Sequence, residues 1–86
     1  MNEDAEGWGG SGRRFTLPPR DDPRYDEAAA LAMIEAAADG ETGSAEQATG
    51  YYWGEERLKS YVRHILKRAR AEKNEEMARA AERYLR

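Results

Sequence analysis

Residues 55–73 read EERLKSYVRHILKRARAEK, and this stretch decides the fold. At 100° per residue, Leu58, Tyr61, Val62, Ile65, Leu66 and Ala69 fall on one apolar stripe, the signature of an amphipathic helix. Lys59, Arg63, Lys67 and Arg70 form a second stripe beside it. One face is thus built for a core, and the other offers a row of cations to something else.

Upstream, Gly50-Tyr51-Tyr52-Trp53-Gly54 is an aromatic cluster bracketed by glycines. With Gly54 as N-cap of a helix Glu55–Lys73, Trp53 and Leu58 take the spacing of a hydrophobic staple. Glu55 and Glu56 then lie in the first turn, at the positive end of the helix dipole. Tyr51, Tyr52 and Trp53 are expected in the core or, where exposed, as anchors for a partner, since Tyr and Trp are enriched at such anchors.

Downstream, the apolar rhythm lapses between Ala69 and Met77. A turn at Lys73-Asn74 is therefore expected, followed by a last helix with Met77, Ala80, Ala81, Tyr84 and Leu85 on its apolar face. The two helices make a hairpin.

Further upstream, Asp22 and Pro23 punctuate the start of an Ala-rich helix over Arg24–Asp39, and Gly40 supplies its left-handed stop. Leu31 and Ile34 are its bulkiest aliphatic side chains. Ser44 with Gln47 three residues on forms a capping-box pattern, which predicts a short helix over Ala45–Thr49. Without Leu, Ile or Val, that helix has little to dock with.

Residues 1–21 read as a flexible arm, with glycines at 7, 9, 10 and 12 and prolines at 18 and 19. Within it, Phe15-Thr16-Leu17 is the part suited to lie extended in a groove, kept extended by the prolines. The expectation is an all-α fold: a disordered N-terminal arm, then one domain over residues 22–86. That domain is a small three- or four-helix unit, a helical hairpin plus the Ala-rich helix, packed around Trp53, Leu58, Val62, Ile65, Leu66 and Leu85.

Such a core is thin, worth about 3–5 kcal/mol of net stability at this size. The 86 residues include no Cys, so neither a disulfide framework nor a thiolate zinc site supplements it. A homodimer or a protein partner would complete it.

Charge is segregated. Residues 1–49 hold eleven acidic residues against four arginines, and residues 50–86 hold ten basic residues against six glutamates. The acidic start, Met1-Asn2-Glu3-Asp4-Ala5-Glu6, lacks the basic n-region and apolar stretch of a secretory signal. The longest apolar run, Ala28–Ile34, is far below the roughly 20 residues needed to span a bilayer. A cytoplasmic protein with no membrane association is the expectation.

Enzyme chemistry finds no foothold. His64 is the one histidine and lies off the apolar stripe, and no serine sits in a nucleophile context. The glutamate pairs 55–56 and 75–76 are adjacent, so on a helix their side chains diverge. No catalytic residue, cofactor, metal or small-molecule substrate is expected. Partner contact is expected at Lys59, Arg63, Lys67, Arg70, Tyr51, Tyr52 and Trp53, with a protein partner favoured. The alternative is a helix-turn-helix-like DNA-binding regulator, with Glu55–Lys73 as recognition helix and its cations on phosphates.

Overall fold

The computed structural model describes residues 15–86. The fold is all-α, with four helices in chain order: α1 (Tyr25–Ala38), α2 (Thr42–Thr49), α3 (Lys59–Ala71) and α4 (Glu75–Leu85). A single 3-10 turn, Glu56–Leu58, leads into α3.

Helix α1 starts from a turn rather than a side-chain cap. The Asp22 carboxylate accepts the Arg24 N–H at 2.7 Å, and the Asp22 carbonyl accepts the Tyr25 N–H at 2.9 Å. Its end is the one the sequence predicts. Gly40 is left-handed at φ +76°, Gly40 N donates to Ala37 O, and Glu41 N donates to Ala36 O. Together these are the two bonds of a Schellman motif, which satisfy carbonyls that the helix leaves unpaired.

The centre of the core differs from the expectation. It lies on α1, where Tyr25, Ala29, Ala30, Ala32, Met33, Ile34, Ala36 and Ala37 are all buried. Every other element packs on α1, and α3 and α4 pack most extensively on each other. A helix buried on most of its circumference must carry small side chains if three neighbours are to approach it closely, and the alanines serve that purpose. Leu58, Val62 and Tyr84 complete the centre, whereas Trp53, Ile65, Leu66 and Leu85 are only half-buried around it.

Helix α2 begins at Thr42, three residues before the predicted start, and its N-cap is Glu41. Ser44 therefore lies inside the helix, and the Ser44–Gln47 capping box is not formed. Fully buried Ala45 and Thr49 hold α2 in place of aliphatic anchors. The Thr49 hydroxyl donates to Ala45 O at 2.8 Å and accepts Tyr51 N, while Thr49 O accepts the Tyr25 hydroxyl at 2.9 Å. A threonine buried with all of its polar groups bonded docks a helix without the desolvation cost of an orphan.

Helix α3 starts at Lys59, four residues after the predicted Glu55, because Glu56–Leu58 forms the 3-10 turn first. Gly54, left-handed at φ +91°, belongs to the loop and does not cap the helix. The hairpin turn falls where the rhythm lapses. Lys73 is left-handed at φ +59°, and Asn74 N donates to Ala69 O while Lys73 N donates to Arg70 O. Asn74 then caps α4, its side chain accepting the Met77 N–H at 3.3 Å.

Phe15 and Leu17, from the segment expected to lie in a groove, rest against the core. The rest of the predicted arm, residues 1–14, lies outside the described residues.

Candidate functional site

The cationic stripe forms on α3 as predicted, but its four members differ. Lys59 pairs with Glu56 at 3.4 Å, and Arg70 reaches across to Glu82 on α4 at 2.6 Å. Arg63 and Lys67, one turn apart at the middle of the helix, are exposed, and neither has an ion-pair partner among the described residues. The stripe thus has two tethered ends and a two-cation centre open to a ligand.

The aromatic cluster separates into structural and free members. Trp53 packs edge-on against Tyr84, with ring centroids 4.7 Å apart, and its N–H donates to Glu46 Oε2 at 2.7 Å. Tyr84 is buried, donates its hydroxyl to Glu55 O at 2.9 Å, and has its pKa pushed up to about 12, chiefly because burial penalises the phenolate. Tyr51 donates its hydroxyl to Asp26 Oδ1 at 2.5 Å, and that bond raises its pKa above the ordinary tyrosine value. The guanidinium groups of Arg20 and Arg57 lie over its ring at 5.8 and 5.7 Å. Tyr52 alone is open, 79% exposed.

A groove lies on the other side of α3 and takes in Thr16 and Leu17, part of the segment expected to lie extended in a groove; its α1 wall was not anticipated. Its volume is about 1080 Å³, and Leu17, Leu31, Tyr61, Ile65 and Met77 form its apolar lining. Charged residues of both signs, Glu27, Arg68 and Glu72 among them, ring its mouth. The signal was present in α1. Leu31 shares a helical face with Arg24, Ala28 and Glu35, and a large aliphatic side chain on an otherwise charged face marks a second apolar surface. It is 42% exposed.

His64 is exposed at the rim of this groove, with no hydrogen bond to a carboxylate or hydroxyl among the described residues. No cluster of three His, Cys, Asp or Glu among the described residues is placed to hold a metal ion. No helix among them is long and apolar enough to cross a membrane.

Comparison with protein-family models, curated proteins and solved structures returns no match to this chain.

Proposed function

We propose that this chain is a non-enzymatic interaction or regulatory module that binds an acidic segment of a partner protein along the exposed face of α3. Arg63 and Lys67 make the central contacts, Lys59 and Arg70 flank them, and Tyr52 offers an aromatic anchor. The observation that carries this reading is that Arg63 and Lys67 have no ion-pair partner among the described residues, while their neighbours on the same stripe are bridged to Glu56 and Glu82. A cation already paired must give up that partner to bind another, whereas an unpaired one is preorganised for an incoming carboxylate.

The second reading is a DNA-binding regulator with α3 as recognition helix. Its support is the same cationic stripe. Against it, α2 packs on α1 and makes no contact with α3, and a helix-turn-helix rests on contact between its two helices.

Binding of a fluorescent glutamate-rich peptide, and of generic duplex DNA, at low and moderate salt tests the two readings. The proposal expects the peptide to bind and the double substitution Arg63→Glu with Lys67→Glu to abolish binding. DNA binding that falls steeply with salt would favour the second reading, because release of counterions from phosphates has that signature. Binding of neither probe would sink both.

A further inference from the structure

The α1 wall of the groove has the form of one half of a two-helix seam. Arg24, the residue before α1, lines it together with Ala28, Leu31 and Glu35, at spacings of four, three and four residues. That alternation keeps one helix in contact with another along its length. The seam is apolar at its centre, basic where α1 begins and acidic toward its end. We propose that this face is a dimer interface, occupied by the α1 helix of a second copy of the chain running antiparallel.

Charge selects the occupant and its direction. A two-fold axis between Ala28 and Leu31 sets Arg24 opposite the partner's Glu35, and Glu35 opposite the partner's Arg24. A parallel copy in register would instead face Arg24 with arginine and Glu35 with glutamate, a like-charge layer at each end. The Arg24 side chain is 81% exposed and its contact with Asp22 is long, at 3.8 Å, so a carboxylate from a second copy displaces little. Farther out on the rim, Glu27, Arg68 and Glu72 carry both signs, as an interface that meets its own copy requires.

Side-chain size fits the same register. Each Leu31 falls opposite the partner's Ala28, a large residue against a small one, which is how facing helices interdigitate. Leu31 is 42% exposed on a helix that is otherwise the most enclosed in the fold, and the second copy covers it. Tyr61 and Ile65, half-buried on the α3 wall, are the apolar surface that the incoming Leu31 meets next. Arg63 and Lys67 lie on the opposite side of α3, so dimerisation leaves them exposed on both copies.

The test is sedimentation equilibrium of the full chain from micromolar to millimolar concentration, with circular dichroism to confirm that each variant is folded. The parent should reach twice the monomer mass, and Leu31→Asp should stay monomeric. Arg24→Glu alone and Glu35→Arg alone each place like charges at both ends of the seam, and each should weaken dimerisation by about tenfold or more. An equimolar mixture of those two variants pairs opposite charges at both ends again and should regain the parent's affinity. The mixture decides the question even where Leu31→Asp perturbs the fold. A parent that stays monomeric throughout overturns the proposal. So do a dimer that ignores Leu31→Asp, which uses another face, and a mixture no tighter than its components, which excludes the antiparallel register.

Discussion

The guanidinium of Arg20 occupies the space that a side chain at Gly50 would need: a Cβ built on Gly50 would sit 2.5 Å from Arg20 Nη1. The same nitrogen donates to Thr49 O at 3.2 Å, and the guanidinium lies 5.1 Å from the Tyr25 ring centroid. Gly50 is also left-handed, at φ +79°, where any L side chain is strained. This pair ties the segment before α1 to the end of α2.

Gly50→Ala should therefore destabilise the domain by about 1–2 kcal/mol from backbone strain alone, and by more as Arg20 is displaced. Arg20→Ala alone should cost about 0.5–1 kcal/mol, the range for an exposed cation–π contact. In the double mutant the two losses should fall short of their sum, because the first substitution has already dislodged the guanidinium. Urea denaturation of the four proteins of the cycle measures this. Additive losses would show that Arg20 does not sense Gly50.

The α3–α4 hinge offers a gain in stability. Lys73 sits at the left-handed position of its Schellman motif, where glycine carries no Cβ penalty. Lys73→Gly should raise stability by about 0.5–1 kcal/mol, the strain relief being partly offset by a more flexible unfolded chain. Asn74→Ala should lower it by about 1 kcal/mol through loss of the α4 cap. Thermal melts of the two variants should move in opposite directions.

Alanine packing on α1 is testable by overfilling it. Ala30 is fully buried, so Ala30→Leu should cost about 1–3 kcal/mol although leucine is an excellent helix former. A neutral or stabilising Ala30→Leu would mean that the core has slack that the structure does not show.

Tyr84 sets a dependence on alkaline pH. Its folded-state pKa, about 12, lies above the ordinary value near 10, so the folded chain keeps a proton that the unfolded chain releases. Its stabilising contribution is complete below pH 10 and declines as the pH rises from 10 toward 12. Tyr84→Phe should lower stability at neutral pH by about 1 kcal/mol through loss of the hydrogen bond to Glu55 O. It should also flatten the alkaline decline relative to the parent. An identical slope in both proteins would locate the decline in other groups.

Much of the fold was legible from punctuation. Gly40 ended α1 and the lapse before Met77 placed the hinge, because left-handed stops and lost apolar periodicity have few other causes. The α3 stripe was equally readable, since its charged and apolar faces alternate clearly. What escaped the sequence was the centre of the core. Alanine is compatible with burial and exposure alike, so α1 showed no preferred face even though it is the most enclosed element. Ser44 misled because its cap pattern is local, whereas Glu41 ends one Schellman turn and begins α2 in a single residue. Thr49 resembles a surface residue until its carbonyl and hydroxyl find Tyr25, Tyr51 and Ala45. The candidate site was half-legible: spacing gave the cationic stripe, but which cations are already paired depends on Glu56 and on Glu82 of another helix. The groove depends on how α1 and α3 diverge, and no periodicity within one helix encodes that.

The arrangement around α1 also ranks the elements by how readily they let go. Helix α2 touches no helix but α1, through Ala45 and Thr49 and a few polar bonds, so it can detach while the α1–α3–α4 body survives. Its amides should exchange with solvent through a local opening. Those of α1, which α3 and α4 still cover after α2 leaves, should exchange only when the whole domain comes apart.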